Sequence, residues 1–254
     1  YLMASRLKPN TISTYMRMLR SIYNRGVDMH QAPYVHGLFR DVFTGVDTRQ
    51  KKAIPIGELH MLLNKDPQSE KLRRTQAIAN LLFQFCGMPF SDLAHLEKSN
   101  LERGLLKYNR TKTGTPMSIE VLESAQNAIG GLYNKSDARS SGYPDYLFRI
   151  LSGAYKRDEE EAYREYQSAL RRFNNDLKSL SRKLRISSSV TSYTLRHSWA
   201  TTAKYRGVPI EMISESLGHK SIKTTQIYLK GFELEERTKV NKLNYSYVCN
   251  FKML

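Results

Sequence analysis

Residues 158–185 carry the longest periodic pattern in this sequence. Apolar side chains recur there at spacings of three and four residues, and most of the remaining positions are charged, which is typical of one amphipathic helix. The apolar positions are Tyr166, Ala169, Leu170, Phe173, Leu177, Leu180 and Leu184. A helix of this length must bury its apolar stripe against other elements, so we interpret it as the scaffold of a mainly helical domain. We assign it no chemistry.

The remaining periodic segments are shorter. Helices are predicted from residue 10 or 11 to Arg25 with Gly26 as the stop, over 57–63, over 70–86 before Gly87, over 91–96 with Ser91 as the cap, and over 121–129 before Gly130-Gly131. Alternation predicts strands Leu105–Arg110 and Pro116–Val121, joined as a β-hairpin by a turn at 112–115. The predicted fold class is therefore mainly α with a small β-hairpin or sheet (α+β).

The charge of the chain is strongly positive. Its 254 residues contain 40 Lys and Arg against 24 Asp and Glu, which gives a net charge of +16. Such a field attracts polyanions, and nucleic acid is the usual one, although a basic surface can also serve solubility alone. No apolar run is long enough to span a bilayer, and no signal peptide precedes the first helix, so no membrane partner is expected.

The cysteines and short motifs point to no cofactor. Cys86 and Cys249 are far apart and lack metal-ligand spacing, which favours two reduced thiols in a cytosolic protein. The sequence contains no Walker-type loop, zinc-binding spacing or acidic metal cluster. We therefore expect chemistry that needs neither a nucleotide nor a metal.

Three groups with complementary chemistry stand in order between residues 191 and 228. Arg196 offers a planar fork that matches phosphate oxygens. His219 can hold or donate a proton near neutral pH. Tyr228 can attack phosphorus if its neighbours prepare it. A cation, a proton-transfer group and a nucleophile are the groups that phosphodiester transfer requires.

The same stretch contains two motifs in order, L-R-H-S at 195–198 with A-T at 200–201, and L-G-H at 217–219 followed by T-T-Q-I-Y at 224–228. Together they resemble the C-terminal signature of the tyrosine recombinases, the phage integrase family. The first motif is similar to the family's second arginine box, and the second is similar to its histidine and nucleophile box. The resemblance covers essentially the whole chain and is weakest in 1–50 and 135–160. It implies that Tyr228 forms a 3′-phosphotyrosine with DNA and that Arg196 binds the scissile phosphate. It also implies that His219 assists the removal of the tyrosine proton or holds the phosphate, and that His197 is structural.

The hairpin turn supplies further residues by resemblance. Lys112 fits the family's mobile lysine, which acts as a general acid toward the leaving 5′ oxygen. Arg110 lies two residues earlier, so strand alternation puts both side chains on one face. Lys51, Lys52 and Lys220 join Arg110, Lys112 and Arg196 as predicted DNA contacts.

Two positions depart from the family pattern. Pro89 occupies the slot of the family's first arginine, and a proline has no side-chain donor. Tyr193 stands where the family has histidine or lysine, so it can bind a phosphate by a hydrogen bond without a positive charge. Either the enzyme is inactive or another cation substitutes, and Arg110 is the proposed substitute. The G-M-P-F variant at 87–90 with R-T-K at 110–112 resembles integrases of mobile elements in the Bacteroides group.

The resemblance also implies a domain plan and a setting. Residues 1–46 are expected to be part of a helical core-binding domain that clamps DNA, 47–53 a linker, 54–232 the catalytic domain, and 233–254 a tail with a short helix at 233–241 that docks on a neighbouring subunit. The first ten residues, YLMASRLKPN, are expected to come from the middle of a longer protein. Double-stranded DNA is the expected partner, bound by a tetramer on paired sites and by a monomer when free, in the bacterial cytoplasm at the nucleoid.

Two other functions fit parts of this pattern. A type IB topoisomerase would share the attack of a tyrosine on a DNA phosphate and would relax supercoils. The L-G-H motif followed by T-T-Q-x-Y favours a recombinase. A DNA-binding regulator without catalysis is the alternative from another class. Residues 194–217 are predicted to form two helices joined by a turn at Gly207-Val208-Pro209, which resembles a helix-turn-helix.

Overall fold

The chain divides into two units, residues 1–50 and 51–254. The computed structural model describes residues 7–42, 44–45, 53–136, 140–229, 238, 241–243 and 245–246. In the smaller unit, helix α1 (Pro9–Asp28) is longer than predicted, because it continues through Gly26. The reversal comes at His30, whose φ is 55°, and the N–H of Gln31 donates to the carbonyl of Gly26 at 2.8 Å. The prediction that Gly26 ends the helix is therefore wrong, since the left-handed residue that closes it is His30.

The larger unit contains most of the regular structure. Its helices are α2 (Ile56–Asn64), α3 (Glu70–Gln84), α4 (Phe90–Ala94), α5 (Glu123–Leu132), α6 (Glu160–Lys183), α7 (Ser192–Tyr205), α8 (Ile210–Ser216) and α9 (Ile222–Tyr228). Its strands are β1 (Leu101–Glu102), β2 (Leu105–Asn109) and β3 (Pro116–Glu120), which form an antiparallel sheet in that order. The predicted class, mainly helical with a small sheet, is confirmed.

The core lies around α3 and α6. Helix α3 contacts α5, α6 and α7. Helix α6 turns Ala169, Phe173, Leu177 and Leu180 into the core, and the last two are fully buried. Phe173 stacks on Phe90 of α4 with ring centroids 4.8 Å apart. The apolar stripe read from the sequence thus faces the core, and it holds the start of α4 against α6.

Several other boundaries differ from their predictions, and three of them bear on the packing or the site. Helix α5 continues through Gly130 and Gly131 to Leu132, because burial of the Leu132 side chain in the core stabilises the longer helix. Helix α4 begins at Phe90 after Pro89, so Ser91 lies inside the helix and does not cap it. Strand β2 ends at Asn109, one residue before the predicted end.

Several predicted segments fall outside the described residues. Lys51 and Lys52 are among them, as is most of the predicted linker. Of the tail, residues 238, 241–243 and 245–246 are described, and each is helical. In the described part of the chain, every helix is too short or too polar to cross a membrane.

Candidate active site

A cavity of about 700 Å³ opens where α4, the hairpin turn, α6, α7 and the loop before α9 meet. Its lining includes Arg110, Lys112, Arg196, His219 and Lys220. None of the described residues that line it is acidic. The structure thus collects in one cavity five of the side chains that the sequence suggested for phosphate chemistry.

Arg196 is buried and bonded to two backbone carbonyls. Helix α7 starts at a capping box in which the Thr191 hydroxyl accepts the N–H of Thr194 and the Thr194 hydroxyl accepts the N–H of Thr191. One turn later, Arg196 is 3% exposed. Its Nη1 donates to the carbonyl of Gly87 at 2.8 Å, and its Nη2 donates to the carbonyl of Leu217 at 2.5 Å. These bonds fix the plane of the guanidinium at the cavity wall.

Two glycines make room for the arginines. At Gly87, where φ is +64°, an added Cβ would lie 3.3 Å from Cα of Arg196. At Gly218, where φ is +63°, an added Cβ would lie 2.7 Å from Cδ of Arg110. The glycine in each motif is therefore required both by its left-handed backbone and by the close approach of an arginine.

Arg110 reaches the cavity from the hairpin and is almost fully buried. Its Nη1 donates to the carbonyls of Leu217 and Gly218 at 2.9 and 3.1 Å. Its Nε lies 3.5 Å from Oδ2 of Asp92, and neither of these two buried atoms has a hydrogen-bond partner in the described residues. None of the hydrogen bonds found there uses its Nη2. Arg110 and Arg196 therefore share the carbonyl of Leu217, which sets two guanidinium groups side by side.

Lys112 reaches the same cavity by a different route from the one predicted. Because β2 ends at Asn109, strand alternation does not extend to residue 112, and that argument was wrong. Lys112 is exposed in a tight turn, in which the N–H of Gly114 donates to the carbonyl of Arg110 at 2.8 Å. The turn, and not the strand, brings Arg110 and Lys112 to one cavity.

His219 is neutral at physiological pH. Its pKa falls to about 4, first because the ring is buried and then because Arg196, Arg110 and Lys112 repel a positive charge. Its Nε2 lies 3.2 Å from Nη2 of Arg196, which can only donate, so Nε2 accepts. The proton is therefore on Nδ1, which donates to the hydroxyl of Thr225 at 2.8 Å. This hydrogen bond between His219 and Thr225 connects the histidine to helix α9.

Helix α9 carries the predicted nucleophile. Thr225 is buried and Thr224 lines the cavity, so the start of α9 lies at the cavity wall. Tyr228 is the last residue of α9, and its backbone follows Thr224 by four residues, about one helical turn. The side chain of Tyr228 lies outside the described part of the chain.

Tyr193 and Lys220 are two further predicted residues at the cavity. Both line the cavity and are exposed, Tyr193 by 50%. The ring of Tyr193 meets the ring of His197 edge-on, with centroids 4.5 Å apart. His197 itself is 2% exposed, as expected for a structural residue.

Sequence reasoning missed two residues of this site. Asp92 is not among the site residues that the sequence predicts, yet its carboxylate is 1% exposed beside Arg110 and accepts the N–H of Thr111. The sequence places Thr225 in the T-T-Q-I-Y motif without a role, yet its hydroxyl accepts the proton of Nδ1 of His219 and thereby favours one histidine tautomer. A buried acid next to a basic turn gives no periodic signal, so only the fold could reveal Asp92.

Comparison with known proteins identifies the class. Residues 56–234 match the model of the phage integrase family. The match covers most of the chain, so this protein belongs to the phage integrase family, whose members are tyrosine recombinases.

Curated relatives agree with this assignment. The chain is 28% identical over 204 residues to a probable integrase/recombinase protein of Methanocaldococcus jannaschii. The aligned segment covers 78% of this chain and 58% of that protein. It is 30% identical to tyrosine recombinase XerA of Pyrococcus furiosus, over 70% of this chain and 57% of that protein. It thus spans less than three fifths of the length of these relatives.

Solved structures show the same fold. The integrase of transposon Tn1549, in complex with a circular intermediate DNA, matches with a TM-score of 0.65 and 15% identity, over 95% of this chain and 82% of that one. The XerH site-specific recombinase, in a post-cleavage complex with difH substrate, matches with a TM-score of 0.60 and 18% identity, over 97% and 69%.

Proposed function

We propose that this chain forms the catalytic part of a site-specific DNA recombinase or integrase. Tyr228 loses its phenolic proton to solvent, attacks the phosphorus of a phosphate in double-stranded DNA and displaces the 5′ oxygen, so that a 3′-phosphotyrosine forms. The 5′ hydroxyl of a partner strand then attacks this phosphorus, rejoins the DNA and releases the tyrosine. The energy of the phosphodiester is kept in the covalent link, so the reaction needs no nucleotide. The observation that carries the proposal is the meeting of Arg110, Lys112, Arg196 and His219 in one cavity beside α9.

Two guanidinium groups bind the scissile phosphate in this proposal. Arg196 and Arg110 converge on the carbonyl of Leu217 and line the same cavity. A phosphorane gathers charge on its non-bridging oxygens, and oriented cationic donors stabilise it. Arg110 takes the role that Pro89 cannot fill, because its Nη2 remains available while Nη1 anchors the group on backbone carbonyls.

The remaining groups handle protons and orientation. Lys112, on the exposed turn, protonates the leaving 5′ oxygen as a general acid. Neutral His219 accepts a hydrogen bond from Arg196 and holds α9 through Thr225. The hydroxyl of Tyr193 donates a hydrogen bond to a phosphate oxygen. Lys220, Lys51 and Lys52 add contacts to flanking phosphates.

The wider setting is part of the same proposal. The protein acts as a tetramer on paired DNA sites and is a monomer when free, and the tail from residue 233 docks on a neighbouring subunit. Residues 1–46 clamp the far side of the duplex, and 47–53 link them to the catalytic domain at 54–232. The protein works on bacterial DNA in the cytoplasm at the nucleoid. The G-M-P-F and R-T-K motifs support a mobile element of the Bacteroides group as the source of this protein.

A covalent trapping assay tests the proposal. The chain is incubated with duplexes nicked near the cleavage position, so that the released fragment diffuses away and the phosphotyrosine persists. Wild-type protein should leave a protein–DNA adduct that survives denaturation, and Tyr228→Phe should leave none while it still binds DNA. Tyr245→Phe is the matched control, because that tyrosine is 73% exposed in the tail. An adduct formed by Tyr228→Phe and lost in Tyr245→Phe would assign the nucleophile to the tail.

A DNA-binding regulator without catalysis is less well supported. Helices α7 and α8 do flank a turn at Gly207, whose φ is +77°. However, α8 exposes Glu211, Met212 and Glu215, so its free surface carries two acids. A recognition helix between two rows of phosphates would be repelled by those charges. Wild-type protein that binds DNA but never forms the adduct would favour the regulator.

A further inference from the structure

Helix α9 is too short to hold its own position. It has seven residues, and the side chain of Ser221, its N-cap, makes no capping hydrogen bond. Isolated helices of fewer than about 12–15 residues are marginal in water. The structure describes the side chains of residues 222–226 and 229, and of these only Thr225 and Leu229 are not exposed. Among the described side chains, those two are therefore the ones that can anchor α9.

Leu229 packs on a small apolar cluster that is separate from the main core. Its N–H donates to the carbonyl of Thr225 at 3.0 Å, so the residue directly after Tyr228 continues the hydrogen bonding of α9. Its side chain is partly buried against helices α7 and α8. The buried members of this satellite cluster are Ala200, Ile213 and Leu217. The end of α9 is thus fixed to the cluster through Leu229.

The satellite cluster also lies behind the two arginines of the cavity. Leu217 is fully buried in it. The backbone carbonyl of Leu217 accepts Nη1 of Arg110 at 2.9 Å and Nη2 of Arg196 at 2.5 Å. One cluster therefore connects the guanidinium groups, through Leu217, with the residue that follows the predicted nucleophile.

We propose that Leu229 is a positioning residue that sets the place of Tyr228 relative to the scissile phosphate. The inference rests on the proposed function, in which Tyr228 is the nucleophile. Leu229 touches no reacting atom and acts through the backbone of α9. Attack requires reacting atoms about 3–3.5 Å apart, and a misplacement of about 1 Å can slow a reaction by about a hundredfold. Without the Leu229 contacts, Thr225 would be the remaining anchor of α9 among the described side chains.

Val208 provides a matched control for a purely structural role. It lies in the turn between α7 and α8, is partly buried and packs on the same satellite cluster, but it is not attached to α9. Val208→Ala should therefore reduce stability and leave the rate of cleavage close to that of wild type. Leu229→Met keeps a side chain of similar volume and should also keep the rate.

Single-turnover cleavage of nicked duplexes by the whole chain tests the proposal. At saturating protein, Leu229→Ala should form the covalent adduct roughly ten- to a hundredfold more slowly than wild type, with unchanged affinity for the same duplex. Leu229→Val, which removes one methylene group, should fall between the two and keeps the comparison possible with a smaller loss of packing. Urea denaturation of the same proteins measures how much stability each substitution removes.

A second substrate shows which part of the reaction is impaired. In this duplex, sulfur replaces the leaving 5′ oxygen, and a thiolate leaves without a proton donor. A defect in general acid catalysis disappears on such a substrate, whereas a defect in placing the nucleophile remains. The ratio of the wild-type rate to the Leu229→Ala rate should therefore persist.

Three results would overturn the inference. A wild-type rate in Leu229→Ala would mean that α9 is placed without this side chain. An equal loss of rate in Val208→Ala would assign the effect to the stability of the satellite cluster. Recovery of Leu229→Ala on the sulfur substrate would place its effect at the leaving group. A wild-type chain that forms no adduct with any duplex would instead remove the proposed function itself.

Discussion

Replacing Arg110 with alanine should impair folding and chemistry by two separable routes. The side chain of Arg110 is 8% exposed and that of Asp92 is 1% exposed, so the pair is buried. Removal of the guanidinium leaves a buried carboxylate without its counter-charge and also removes the donor to the carbonyls of Leu217 and Gly218. Breaking a buried pair in this way costs about 3–5 kcal/mol, a large part of a typical total of about 5–15 kcal/mol.

A second substitution separates the two routes. Asp92→Asn removes the negative charge but keeps an oxygen to accept the N–H of Thr111. In the double variant Arg110→Ala/Asp92→Asn, the free energy of unfolding should recover by about 1–3 kcal/mol relative to Arg110→Ala. Cleavage should stay reduced by roughly a hundredfold or more, because the transition-state donor is still missing.

Two assays on the same proteins decide the outcome. Urea denaturation gives the free energy of unfolding, and single-turnover cleavage of nicked DNA at saturating protein gives the rate of the chemical step. Near-normal cleavage by Arg110→Ala would end the idea that Arg110 replaces the missing arginine. A double variant no more stable than Arg110→Ala would show that Asp92 and Arg110 are not coupled. Arg110→Lys should keep part of the binding but little of the rate, because an ammonium lacks the planar fork.

Three further outcomes are expected. Gly218→Ala should lower the free energy of unfolding more than Gly207→Ala does. Both glycines have positive φ, which costs an alanine about 1–2 kcal/mol, but of the two only Gly218 lacks room for a Cβ. Equal losses in urea denaturation would contradict the close approach of Arg110. The imidazole of His219 should titrate near pH 4 in an NMR experiment and not near 6.5. Because the native state then binds fewer protons than the unfolded state between these pH values, stability should fall as pH drops through that window, and His219→Gln should flatten this slope; a midpoint at 6.5 would refute it. Deletion of residues 231–254 should weaken assembly on paired DNA sites more than binding to one site, and sedimentation showing equal assembly would reject a docking role for the tail.

Local patterns in the sequence were sufficient for most of the elements and for the family, but they did not predict strand β1. The spacing of apolar residues in 158–185 predicted α6 to within two residues at each end, because a helix must present one face to the core. The hairpin followed from alternation and a glycine turn, and the ordered text of 191–228 indicated the family. Glycine as a stop signal failed at Gly26 and Gly130, since a buried residue or a later left-handed residue decides where a helix ends.

Contacts between distant residues were decided only by the tertiary structure. The sequence alone placed Arg110 near Lys112 by strand alternation, whereas the structure does so through a turn and anchors Arg110 on the backbone at 217–218. It also buries Asp92 beside Arg110 and lowers the pKa of His219 by burial and nearby cations. Periodicity reports which face of an element is buried, because burial repeats along the chain with the helix or strand. Coulombic and hydrogen-bond partners have no such repeat, so residues more than a hundred positions apart become partners only when the core sets the elements against one another.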